Sequence, residues 1–178
     1  ELLQLSNVSN HSFSETVYFD VIRKKTAALF AACTEAAAYS VGVSEEEVKL
    51  ARLLGEYIGI CFQIKDDIFD YFDSKEIGKP TGNDMLEGKL TLPVLYALNR
   101  ANDNQAAEIA LKVKEGTATL AEIARLIAFT KENGGIEYAV RTMNAYKQKA
   151  FGLLASLPDS AICVALRSYL DYVVDREK

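Results

Sequence analysis

Asp66, Asp67 and Asp70 stand in the run FQIKDDIFD, residues 62–70, which otherwise reads as a buried helix. Carboxylates are seldom buried without a partner. A helix turns by about 100° per residue, so Asp66 and Asp70 share a face with Gln63 and Gly59. Asp73 joins that face if the helix runs far enough. Like charges one turn apart repel, and a cation between them reverses the loss. A donor set made only of oxygen favours a hard ion, Mg²⁺ or Ca²⁺. The next stretch, DSKEIGKPTGNDMLEGKLT at 73–91, is broken by glycines and carries Lys75, Lys79 and Lys89. Metal-holding carboxylates followed by a lysine-bearing loop suit a metal-bridged phosphate ligand. Upstream, IRKKTAALFAA sets Lys25 and Thr26 in an apolar run of small residues. The ordinary readings are a solvated DxxD face, a snorkelling lysine and surface lysines in the loop. Ile64, Ile68, Phe69 and Phe72 leave the aspartates little purely polar face, and this favours the chemical reading.

The elements that must position these groups read as helices throughout. Expected helices cover 13–41, 45–72, 91–101, 104–114, 118–133, 135–156 and 159–175. Gly42 ends the first, and Ser44 with Glu47 makes a capping box for the second. Gly55 and Gly59 lie inside that second helix at about 1 kcal/mol each, so a close approach by a neighbour is expected there. Pro80 and three glycines mark the following loop. Thr117 or Thr119, Gly134 and Pro158 punctuate the rest. No strand-like alternation is sustained. The expectation is one all-helical domain, 1–178.

Composition excludes several classes. The chain has 178 residues, 49% of them apolar, enough for one substantial core. A net charge of −5 argues against general nucleic-acid binding. No run of 18 apolar residues predicts a transmembrane helix. Cys33, Cys61 and Cys163 are far apart in apolar surroundings and read as reduced core thiols, which places the protein in the cytoplasm. His11 is the sole histidine, so a histidine-based hydrolase relay has little to stand on.

These residues carry a specific resemblance. FQIKDDIFD resembles the second aspartate-rich motif of the trans-type polyprenyl diphosphate synthases, KTA at 25–27 their Lys-Thr motif, and IGKPTGNDMLEGKLTLPVLYAL at 77–98 the loop and helix after the second motif. ELLQL at the start and SYLDYVVDREK at the end resemble further segments of that family. The resemblance implies an isoprenoid-synthase-type helical bundle around a central cavity, acting as a homodimer. It implies Mg²⁺-dependent 1′-4 condensation of isopentenyl diphosphate with an allylic diphosphate, with Mn²⁺ as a substitute. Asp66, Asp67 and Asp70 would hold metal, Asp66 directly. Lys25 and Lys79, with Lys89, would bind diphosphate oxygens, and Thr26 and Gln63 would face the developing carbocation.

The family has two aspartate-rich motifs, and here only Asp66–Asp67 forms an Asp-Asp pair. Asp171 and Asp175 lack the paired arginines of a first motif, and residue 1 is not methionine. The expectation is an N-terminally shortened chain that supplies one wall of the cavity, leaves its apolar lining at 26–37 and the helix at 55–69 exposed, and catalyses poorly alone. The rivals are a non-catalytic partner subunit of a heteromeric synthase and a metal-dependent terpene cyclase.

Overall fold

The computed structural model describes residues 13–72, 81–158 and 160–177. Among them there is no strand, and the helices are α1 (Glu15–Ile22), α2 (Ala28–Ser40), α3 (Glu45–Phe69), α4 (Asn83–Leu86), α5 (Leu92–Ala101), α6 (Asn104–Glu115), α7 (Leu120–Glu132), α8 (Gly135–Ala155) and α9 (Ala161–Asp175). No helix among the described residues is long and apolar enough to cross a membrane. The all-α expectation is met. Its two largest departures lie at the site. The expected 13–41 helix is broken by a π-helical segment, Arg23–Ala27, between α1 and α2. The expected 45–72 helix ends at Phe69, so Asp70 belongs to the turn beyond it, and Asp73 lies outside the described residues.

The chain packs as two compact units, each built from separated segments. Of the described residues, one takes 13–21, 66–72 and 81–140. Its core gathers Tyr71 and Met85 with Val94 and Leu98 of α5, Ile109 and Val113 of α6, and Leu126 of α7. The caps are written locally. Thr119 accepts from the Glu122 amide while the Glu122 carboxylate accepts from the Thr119 amide, and Asp103 accepts from the Ala106 amide at 2.9 Å. Gly82 sits at φ +82°, and a Cβ there would lie 2.8 Å from both Ile123 Cγ2 and Ile127 Cδ1. Conformation and space both demand glycine at that turn.

The second unit takes residues 22–65 and 141–177. Here α2 lies directly on α3: a Cβ on Gly55 would fall 2.5 Å from the Phe30 carbonyl oxygen, and one on Gly59 would fall 2.5 Å from Ala27 Cα. The two glycines forgo helix propensity to let the backbones meet, as their placement predicts. Arg23 pairs with Glu56 at 3.3 Å and Arg52 with Glu35 at 2.5 Å. Lys147 of α8 meets Asp171 and Asp175 of α9 at 2.7 and 3.6 Å, so that acidic pair is taken up by a lysine. Cys61 and Cys163 are buried, and burial pushes the Cys61 thiol up to about 12. Cys33 is exposed. It stands on the outward face of α2 and is not a core thiol, because an alanine-rich helix gives no sequence signal for which side packs.

Glu122 supplies a pH prediction. Hydrogen bonds from Lys112 and then from Thr119 hold its carboxyl at about 2, below the ordinary 4.5. A depressed carboxyl contributes stability above the unfolded value and loses it as pH falls through the folded one. The urea midpoint of Glu122→Gln should therefore lie below that of the unsubstituted chain at neutral pH. The gap should close between pH 4.5 and about 2. A gap independent of pH would remove the charge from the explanation.

Candidate active site

The acidic end of α3 is built against the electrostatics of its own helix. Glu45, Glu46 and Glu47 open the helix, where the positive end of the macrodipole welcomes them. Asp66 and Asp67 stand in its last turn, where the dipole is negative and carboxylates are unfavourable. A cation at that end answers the dipole.

Each aspartate has a different setting. Asp66 is half-buried. Asp67 is buried, 3% exposed, and its Oδ2 accepts the Tyr18 hydroxyl at 2.5 Å. Asp70 holds the returning chain: its two carboxylate oxygens accept the amides of Asn83 at 2.9 Å and Asp84 at 3.1 Å, and its carbonyl accepts the Gly82 amide at 2.9 Å. Asp70 is thus the bracket that ties residues 82–84 beside the end of α3. Asp70→Ala should cost about 1–2 kcal/mol through those two amides. Accelerated hydrogen exchange confined to residues 82–88 would verify the bracket, and unchanged exchange would refute it.

Asp84 completes the acidic group, and sequence reasoning missed it. The charges of Asp67, Asp70 and Asp84 all reach the buried Tyr71 phenol. Burial, more than these charges, pushes that phenol far above its ordinary value, while the hydrogen bond with Thr91 opposes the shift. Tyr18 is likewise held well above its ordinary value, first by burial, then by Asp67 and Asp84. It therefore stays a hydrogen-bond donor. The Lys89 ammonium lies 3.8 Å from Asp84 and hydrogen-bonds Glu87. Burial alone would lower its pKa, but Glu87 and Asp84 outweigh burial and raise it. Lys79 lies outside the described residues.

The other predicted residues belong to the second unit. Lys25 and Thr26 sit in the π-helical segment, a geometry that recurs at functional positions because it turns side chains out of the α register. Lys25 is exposed. Thr26 Oγ1 donates to Gln63 Oε1 at 2.6 Å, one motif holding the other across 37 residues. The adjoining contact of Ala27 with Gly59 sets the spacing for that bond. Along α2, Ala28, Leu29, Ala32, Cys33 and Ala36 are exposed, Leu29 by 68%. This apolar stripe falls within the expected lining, whereas the helix at 55–69, expected to be exposed as well, has no exposed residue, because α2 and α8 pack against it.

The donor chemistry fits a hard divalent ion: oxygen from aspartates only. Among the described residues no three or more His, Cys, Asp or Glu side chains converge as a closed cage. Mg²⁺ is usually held without one, by one or two carboxylates, waters and substrate phosphates.

The family model described as "Polyprenyl synthetase" matches residues 1–130. The chain is 37% identical to an octaprenyl diphosphate synthase from Haemophilus influenzae, over 99% of this chain and 54% of the relative. It is 37% identical to heptaprenyl diphosphate synthase component 2 from Geobacillus stearothermophilus, over 90% of this chain and 49% of the relative. It thus spans about half the length of the curated relatives it matches. A crystal structure of a geranylgeranyl pyrophosphate synthase from Bacteroides thetaiotaomicron superposes with TM-score 0.95 at 80% identity, covering 98% of this chain and 58% of that one. A polyprenyl synthase from Caulobacter crescentus, solved with calcium and isoprenyl diphosphate, matches with TM-score 0.87 at 34% identity, covering 98% and 54%.

Proposed function

The chain belongs to the polyprenyl synthetase family, and from that premise we propose that the complete protein is a prenyltransferase. It condenses isopentenyl diphosphate 1′-4 with an allylic diphosphate to give a longer trans-polyprenyl diphosphate. It works as a homodimer in the cytoplasm. The observation that carries this reading is the acidic group at the end of α3, where Asp70 brackets Asp84 beside Asp66 and Asp67.

In this reading Asp66 would hold Mg²⁺, or Mn²⁺ as a substitute, directly, and Asp67 and Asp70, with Asp84 beside them, would act directly or through metal-bound water. The bound metal supplies positive charge that neutralises the departing diphosphate. Lys25 and Lys79 bind diphosphate oxygens as the allylic C–O bond breaks, and Lys89, held by Asp84, keeps a further positive charge close to the carboxylates. Thr26 and Gln63 fix each other's side chains and present oxygen dipoles to the developing carbocation. The double bond of isopentenyl diphosphate forms the new C–C bond, and the proton lost from it passes to the departed diphosphate. The apolar stripe of α2 keeps water from the cation. The calcium and isoprenyl diphosphate of the Caulobacter crescentus structure support the pairing of divalent metal with diphosphate.

The test is product analysis of the complete protein given isopentenyl diphosphate, an allylic diphosphate and Mg²⁺. Longer polyprenyl diphosphates, abolished by a chelator, are expected. A cyclic hydrocarbon would replace this reading by a terpene cyclase. A second reading, one chain of a heteromeric synthase, is favoured by the likeness to a protein named as component 2. Activity that appears only on adding a partner chain would select it.

A further inference from the structure

We propose that Tyr18 is a positioning residue for the metal site: its hydroxyl fixes the Asp67 carboxylate so that the aspartates at the end of α3 present a defined set of oxygens to the cation. The inference rests on the prenyltransferase reading and extends it to a residue outside the recognised motifs. Tyr18 lies on α1, 49 residues from Asp67 in sequence, and both belong to the same compact unit. Tyr18 is 7% exposed and Asp67 3%. The 2.5 Å separation is that of an O–H donor on a charged oxygen. Phe19 meets the Tyr18 ring edge-on at 5.3 Å, which restricts the ring and with it the direction of the O–H.

A purely structural pair has no need of this chemistry. Two apolar side chains of matching shape would fill the same volume at little loss. A phenol set on a carboxylate one residue from Asp66 instead fixes a rotamer and aims a charge. Groups that orient metal ligands in this way typically change metal affinity or activity by about 10- to 100-fold when removed.

The test uses the complete protein and two readouts: Mn²⁺ binding by electron paramagnetic resonance in the presence of inorganic diphosphate, and thermal unfolding without metal. Tyr18→Phe should weaken Mn²⁺ binding by about tenfold or more. In turnover it should raise the metal concentration for half-maximal rate and leave KM for isopentenyl diphosphate nearly unchanged. Asp67→Asn keeps an acceptor for the phenol and should also weaken Mn²⁺ binding, with Tyr18→Phe adding little on that background. Unaltered Mn²⁺ affinity in folded Tyr18→Phe would overturn the inference. So would unaltered affinity in Asp67→Asn, which leaves Tyr18 nothing to position and does not depend on the stability of the tyrosine variant. If the unsubstituted protein binds no Mn²⁺ with diphosphate, the prenyltransferase reading itself fails, and the two failures are distinct.

Discussion

Asp66→Ala in the complete protein should lower kcat by about 100- to 1000-fold, the usual loss when one electrostatic stabiliser of a transition state is removed. Its effect on stability should be far smaller than its effect on turnover. Asp66 stands in the last turn of α3, where the helix dipole disfavours a carboxylate. The expected result is collapsed turnover with little change in Tm. Turnover within a few-fold of the unsubstituted enzyme at saturating Mg²⁺ would take Asp66 out of the site.

The second large effect lies where α2 and α3 touch. Gly59→Ala gains about 1 kcal/mol of helix propensity, yet its Cβ would sit 2.5 Å from Ala27 Cα and 3.0 Å from Ala27 Cβ. Backbone cannot swing aside as a side-chain tip can, so overpacking of about 1–3 kcal/mol or more prevails. Gly55→Ala meets the Phe30 carbonyl oxygen at 2.5 Å and Thr34 Oγ1 at 2.3 Å, and should be at least as damaging. Gly59→Ala carries a further penalty, because parting α3 from Ala27 stretches the adjoining Thr26–Gln63 bond, now 2.6 Å. Its activity should therefore fall more than its stability explains. Gly152 is the control: a Cβ there meets nothing within 4 Å, and Gly152→Ala should stabilise by about 0.5–1 kcal/mol. Urea midpoints of the three variants decide the matter. A stabilised Gly59→Ala would mean the helices can separate freely.

What could be read from the sequence divides along physical lines. Features set by neighbours in the chain were legible. The Ser44–Glu47 box forms as expected, the Glu47 amide donating to Ser44 Oγ at 3.3 Å. Of the alternatives Thr117 and Thr119, Thr119 is the cap, because it alone has Glu122 three residues on. Gly55 and Gly59 mark a close approach because glycine in a helix interior needs a reason. Features set across the fold were not legible. Nothing in RKKTA distinguishes a π turn from an α turn. Asp70 was placed on a helical face because the periodicity of 62–72 continues past Phe69, while its carboxylate is claimed by amides 13 and 14 residues away. Four residues, Asn83–Leu86, are too short a helix to leave a period, and so Asp84 passed as loop. Tyr18 had no local sign at all, since its partner lies 49 residues distant.

The discontinuity of the second unit bears on how the polypeptide is made. Its two parts, residues 22–65 and 141–177, are separated by the bulk of the first unit. On a ribosome delivering roughly 5–20 residues per second, the described residues of the first unit have all been made once Val140 has emerged. The second then waits on the order of seconds for α9 and most of α8. Through that interval the side of α3 that carries Tyr57 and Cys61, and that α8 later covers, is nascent chain without its counterpart. The segment most in need of a chaperone during synthesis is therefore α3, the helix that carries Gln63.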